Sequence, residues 1–198
     1  MNLLSKSISF LARLRYSRIH NWINHPAGAQ REVLQSLITD AQYTVFGKQY
    51  NFAKMFTVRE FKERVPLSCY EQMSPYIERM MNGEENVLWN TPVSWFAKSS
   101  GTSNDKSKFI PVSEESLQEN HFKASKDVLT KYYNNFPSSD LLTGKSLVVG
   151  GSHQISQLSE DIQCGDLSAV LMQNSPFWGQ CCEPRSSVLR CWMNGKIK

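Results

Sequence analysis

Along the opening "MNLLSKSISFLARLRYSRIHNWI", Leu3, Leu4, Ile8, Leu11 and Leu14 alternate with Lys6, Arg13, Arg15 and Arg18. Residues three and four apart share a helix face, so this spacing predicts an amphipathic helix packed on its own domain. A membrane-surface or organelle-targeting helix is the alternative, although the stretch lacks the apolar core and cleavage site of a signal peptide. A second helix is expected from Pro26, with Val33, Leu37, Ile38 and Ala41 as its apolar stripe and Gly47 as its stop. Thr57 followed by Glu60 is a capping-box pattern for a short helix ending before Pro66. Another helix is expected around Tyr76–Met81, stopped by Asn82-Gly83.

Shorter apolar runs follow. "VLW" and "SWFAKS" read as strands, and "SEESLQENHFKASKDVLTKYYNNF" as a long helix capped by Ser113, with Leu117, Val128, Leu129 and Tyr132 as apolar positions. "KSLVVGGSH" reads as a buried strand, whereas "GDLSAVLMQN" is helix or strand, because periodicity does not separate the two in so short a run. Helices in front and strands alternating with helices behind predict an α/β or α+β fold.

Composition narrows the function classes. The chain has 198 residues, 40% hydrophobic and 20% charged, as in ordinary globular proteins. The excess of 22 basic over 18 acidic residues favours small anions mildly. The basic residues are dispersed, without an aromatic-plus-arginine stripe, so no nucleic-acid partner is expected. No apolar run approaches the roughly 20 residues that cross a bilayer, so no membrane partner is expected. Five cysteines without regular spacing, three of them Cys181, Cys182 and Cys191, form neither a disulfide framework nor a zinc pattern. The expected compartment is a reducing cytoplasm, and no metal site is expected.

Candidate chemistry sits in "WFAKSSGTSNDKSKFIPVS". Phosphate oxygens are bound by converging backbone N–H groups, hydroxyls and ammonium groups. Here Gly101 supplies the turn, Ser99, Ser100, Thr102 and Ser103 the hydroxyls, and Lys106 and Lys108 the charge. The stretch is not a Walker loop, and on composition alone a solvated loop is the favoured reading. Elsewhere, His153 follows two glycines and reads as a hydrogen-bonded structural histidine, with base or acyl-pocket donor as the sharper alternative. His20, His25 and His121 read as helix-surface residues, Glu84-Glu85 as a solvated turn, and Phe177 and Trp178 as acyl-pocket or core residues.

The order "SSGTS", a lysine five residues later, then "IP" resembles the nucleotide-binding loop of the adenylate-forming superfamily. A closer resemblance is to the Gretchen Hagen-type, auxin-responsive acyl-acid amido synthetases, in a bacterial version. It extends to "FKERVPLSCYEQMSPYIERMMNGEENVLW", "GKSLVVGGSH" and "GDLSAVLMQNSPFWG", and so through most of residues 30–180. The fold it implies is α/β: the N-terminal portion of an acyl-CoA synthetase/luciferase-like large domain, a helical front followed by mixed strands and helices. The function it implies is ATP- and Mg²⁺-dependent joining of a small carboxylic acid to an amino acid through an acyl adenylate. By that resemblance Ser99, Ser100, Gly101, Thr102, Ser103 and Lys108 bind the nucleotide phosphates, and no catalytic residue is assigned. Asn104-Asp105 departs from the plant members, which carry small residues including glycine there. A carboxylate at Asp105 repels phosphate unless it points away.

The resemblance also implies later adenine and ribose motifs and a mobile C-terminal domain, which nothing after Gly179 matches. The expectation is therefore a partial domain over residues 1–180, inactive alone, with a non-catalytic remnant binding nucleotide or anion weakly as the alternative reading. Residues 181–198, "CCEPRSSVLRCWMNGKIK", show no helical or strand alternation. Written in permitted codons with one added C in front and a TAG stop behind, they read "LLRTPEFRIALLDEWEDKI" in the shifted frame, which resembles the family's continuation. The expectation is an aberrant, frameshifted tail.

Overall fold

The computed structural model describes residues 3–99, 107–139, 141 and 154–176. In chain order its elements are helices α1 (Leu3–Asn24), α2 (Pro26–Ala41) and α3 (Val45–Gln49), a 3₁₀ turn (Phe52–Lys54), and helices α4 (Val58–Arg64) and α5 (Tyr70–Met81). Strands β1 (Trp95–Ser99) and β2 (Lys108–Val112) follow, then a π-helical stretch (Ser116–Phe122) running into α6 (Lys123–Asn135). Strands β3 (Ile155–Gln157) and β4 (Gln163–Asp166) and helix α7 (Leu167–Gln173) complete them. The α/β architecture expected from the sequence is the one observed, with helices ahead of a mixed sheet. The chain divides into two compact units.

One unit comprises residues 25–114 and 155–167. Its sheet runs β2-β1-β4-β3, with β1 antiparallel to β2 and parallel to β4, and β3 antiparallel to β4. Pro111 lies in β2, an edge strand, where the missing N–H costs no ladder bond if it faces outward. Ile77 and Met80 of α5, Phe96 of β1, Cys164 of β4, and Val87, Val93 and Ile162 form one buried cluster. A second gathers Ile38 and Ala41 of α2 with Phe52 and Met55.

Local chemistry explains the helix boundaries. Thr57 Oγ1 accepts the Glu60 N–H, while the Glu60 carboxylate accepts the N–H groups of Phe56 and Thr57 at 2.9 Å, so the predicted capping box is present. Gly83 ends the turn after α5 with φ +86°, again as predicted. Gly47 does not stop a helix: α2 ends at Ala41, and Gly47 lies inside α3, where its missing side chain lets the backbone approach Ala41. Buried Thr44 caps α3, accepting the Gly47 N–H at 2.9 Å and donating to the Ala41 carbonyl at 2.7 Å. "VLW" is not a strand either. The carbonyls of Asn86 and Val87 accept the N–H groups of Val45 and Phe46 at the start of α3, so this segment caps a helix instead of joining the sheet. "GDLSAVLMQN" resolves into both alternatives, β4 ending at Asp166 and α7 starting at Leu167.

The other unit holds residues 1–24, 115–154 and 168–198. Within it α1 packs along α6, with Ala12 buried and Arg15 Nε donating to Asp127 Oδ1 at 2.7 Å. Leu11 and Leu14, expected on the packed face of α1, are exposed. The long helix differs from its expected stripe too. π-Helical bonding spans five residues per step, which rotates everything downstream of Phe122 relative to a continuous α-helix. Leu117 and Phe122 are therefore buried five residues apart, Thr130 and Tyr133 follow them inward, and Val128 is exposed.

Candidate functional site

In sheets of this kind ligands gather beyond the carboxyl ends of parallel strands. The parallel pair here is β1 and β4, with Trp95 opposite Gln163 and Lys98 opposite Asp166. Ser99 is the last residue of β1 and Lys108 the first of β2, and the two face each other across the antiparallel ladder. The predicted phosphate loop is thus the connection of a β1–β2 hairpin, and its two described members, Ser99 and Lys108, form the hairpin mouth. Ser100, Gly101, Thr102 and Ser103 lie outside the described residues, as do Asn104, Asp105, Lys106, His153, Phe177 and Trp178.

Helix α5 supplies the wall beside the mouth. Cys69, in extended backbone, precedes the helix and donates its N–H to Gln72 Oε1 at 2.9 Å, which sets where the first turn begins. Tyr70 is that turn's first residue, and its hydroxyl accepts the Phe109 N–H of β2 at 2.8 Å. Lys108 Nζ lies 5.3 Å from the centroid of the Tyr70 ring, within cation–π range. The next residue, Glu71, has its carboxyl held below the usual range by a hydrogen bond from its own backbone N–H, then by the Cys69 side chain, with the Lys108 charge adding a smaller pull. The Lys108 ammonium therefore lies at the C-terminal end of β1 beside the Tyr70 ring and the Glu71 carboxylate, and it is the one described group of this set with the charge to meet an anion, since the Cys69 and Glu71 N–H groups at the helix start are already bonded.

Sequence reading missed Tyr70 and Glu71. They lie 39 and 37 residues before Phe109 and Lys108, and periodicity carries no signal for such a pairing. At the opposite end of β1, a depression of about 390 Å³ is lined by Glu84, Glu85, Ser94, Ser159 and Asp161 among others. Its carboxylates give it the wrong charge for phosphate. Glu84 is bound to Arg79 at 2.7 Å, so Glu84-Glu85 is a turn with one paired carboxylate. His20 and His25 are exposed as expected, while His121 is half-buried. Among the described residues no group of three or more His, Cys, Asp or Glu is placed to hold a metal, and no helix is long and apolar enough to cross a membrane.

Comparison with known proteins bears on the family and the fold. The model of the GH3 family N-terminal domain matches residues 15–194. Indole-3-acetic acid-amido synthetase GH3.2 of Arabidopsis thaliana is 32% identical over 100 residues, which is 50% of this chain and 18% of that protein. Jasmonoyl–L-amino acid synthetase JAR4 of Nicotiana attenuata is 27% identical over 150 residues, 75% of this chain and 25% of that protein. The solved structure of GH3.15 acyl acid amido synthetase superposes with a TM-score of 0.69 at 24% identity, covering 80% of this chain and 28% of that one. The likeness is to plant members, which corrects the bacterial type expected above. The chain spans about a quarter or less of the length of the curated relatives named here. With nine-tenths of its residues under one family model, the chain belongs to the GH3 family, in the part that forms its N-terminal domain.

Proposed function

We propose that this chain carries the phosphate-binding hairpin of an ATP-dependent ligase that joins a small carboxylic acid to an amino acid through an acyl adenylate. The observation that carries the reading is the mouth Ser99–Lys108 at the carboxyl end of β1, in a chain of the GH3 family. The named relatives are amido synthetases of indole-3-acetic acid and of jasmonate, and a GH3.15 structure holds 2,4-DB, so an organic acid is the substrate class proposed here. ATP supplies an activated α-phosphorus and pyrophosphate as leaving group. Lys108 offsets the charge that moves onto pyrophosphate, and Ser99, Ser100, Gly101, Thr102 and Ser103 hold the phosphates in line for attack. Mg²⁺ fits this donor set only as an ion carried by the phosphates and water, since the described residues offer no carboxylate cage.

Titration of the 198-residue protein with ATP, against Lys108→Ala, tests the reading. Loss of one charge-assisted contact, about 1.5–3 kcal/mol, weakens binding by about tenfold or more. Equal ATP affinity in both proteins refutes it. The chain alone is expected to give neither amide product nor ATP–pyrophosphate exchange at an enzymatic rate. A second reading is a non-catalytic binding role for anions at the same mouth, which asks only for the Lys108 ammonium held beside Tyr70. Under it, inorganic triphosphate competes with ATP on equal terms. In the same proposal the tail 181–198 is out-of-frame sequence following loss of one nucleotide after the Gln180 codon. The family match continues to residue 194, so the DNA decides: if the shifted frame encodes no family-like remainder, the tail is genuine.

A further inference from the structure

Lysine reaches its ligand on a flexible four-carbon stem, so a lysine that binds phosphate gains from being held near its bound position beforehand. Lys108 begins an edge strand at the loop end of a hairpin, where its own strand gives it little restraint. The restraint comes from α5. Tyr70 packs against the buried cluster of Ile77, Met80 and Phe96, so its ring is anchored from behind. Its hydroxyl accepts the Phe109 N–H at 2.8 Å, filling an edge-strand donor that faces away from β1, while its face lies 5.3 Å from Lys108 Nζ. One side chain thereby fixes both the backbone that carries the lysine and the ammonium itself. Antiparallel ladders alternate the direction of successive N–H groups. The Phe109 N–H therefore turns toward α5 and the Lys108 N–H toward Ser99.

We propose that Tyr70 is a positioning residue for the phosphate-binding hairpin, holding Lys108 over its ring and strand β2 by its hydroxyl so that the mouth is set before nucleotide arrives. The proposal rests on the phosphate-binding reading of Ser99 and Lys108. It assigns a role to a helix residue outside the loop, and it makes α5 part of the site. The ring and the hydroxyl do separable work, which two variants divide: Tyr70→Phe keeps the ring and loses the acceptor, and Tyr70→Leu loses both.

The experiment is NMR of the full chain with ATP titrations of the same samples. Ring proximity shifts the Lys108 side-chain methylene protons upfield in the wild type and in Tyr70→Phe, and the shift vanishes in Tyr70→Leu. In Tyr70→Phe the Phe109 amide exchanges faster while the lysine shift stays. Tyr70→Leu binds ATP about two- to fivefold more weakly, the share of a cation–π contact at a half-exposed site. Combining Tyr70→Leu with Lys108→Ala weakens binding no further than Lys108→Ala alone, because Tyr70 acts through the lysine. A merely structural role for Tyr70 makes the two losses additive and overturns the proposal, as does a wild-type lysine with no upfield shift. Should Tyr70→Leu fail to fold, Tyr70→Phe carries the test through the exchange rate and the retained shift. An upfield shift with no ATP binding by the wild type sinks the phosphate-binding reading and leaves the Tyr70–Lys108 contact standing.

Discussion

Gly47→Ala sets helix propensity against packing. Gly47 lies in α3, and alanine is favoured over glycine in a helix by about 1 kcal/mol, so propensity alone makes the variant more stable. A Cβ on Gly47 falls 2.0 Å from the Ala41 carbonyl oxygen and 2.9 Å from its carbon. That oxygen cannot easily move, because it accepts the Thr44 N–H at 3.1 Å and the Thr44 hydroxyl at 2.7 Å. Thr44 is itself fully buried and holds the Gly47 N–H. Relief of the clash therefore shifts the α2–α3 corner as a whole, at the upper end of overpacking costs, about 3 kcal/mol. Net of propensity, the loss is about 2 kcal/mol, or about 4–8 °C in Tm for a chain of this size. Urea unfolding followed by circular dichroism measures it against the wild type. A variant as stable as the wild type, or more so, refutes the close approach of α3 to Ala41.

The same exchange at two other glycines gives other signs. Gly28→Ala, in the first turn of α2 with nothing within 4 Å of the new Cβ, raises stability by about 0.5 kcal/mol, whereas Gly83→Ala, equally open but at φ +86°, lowers it by about 1 kcal/mol. Urea midpoints of the two variants read this contrast. The Glu60 carboxyl is held below its usual range chiefly by the Phe56 N–H, then by the Thr57 hydroxyl and N–H. A depressed folded-state value makes this cap present above the ordinary glutamate range and lost as pH falls through the lowered one. Phe56 and Thr57 amide shifts titrate together below that range, and Glu60→Gln removes the transition. The Lys108→Ala loss of ATP affinity stands beside these as the test of function.

Features written within a few residues were readable in advance. The Thr57/Glu60 box and the Asn82-Gly83 stop each depend on neighbours three residues away or fewer, so composition and spacing contain them. The strand before the loop was readable from "SWFAKS", but no strand was assigned to "KFIPV", so the facing of Ser99 and Lys108 came only with the structure. Gly47 was misread because a stop and a close approach both call for glycine, and only the position of Ala41 tells them apart. "VLW" has strand composition, yet its carbonyls meet α3, a partner some 40 residues earlier in the chain. Val128 was counted into the stripe, and Tyr133 left out of it, because a π-helical stretch changes the period on which the stripe was counted. Tyr70 was invisible as a site residue because its importance lies in a contact 39 residues away, made by a residue type ordinary in any core.

The sheet also has an order of assembly written into its register. Ser99 meets Lys108 nine residues along the chain, whereas Trp95 meets Gln163 across 68. Closing the longer loop costs on the order of 2 kcal/mol more chain entropy, so hairpin pairing precedes parallel pairing. Hairpins form in about 1–10 μs, and α5, β1 and β2 all leave the ribosome within one stretch from Tyr70 to Val112. The β1–β2 register is thus the part of the sheet that forms from its own short stretch of chain, before β4 is synthesised. The late strand then extends a hairpin and brings Ile162 and Cys164 to the cluster on which Tyr70 packs.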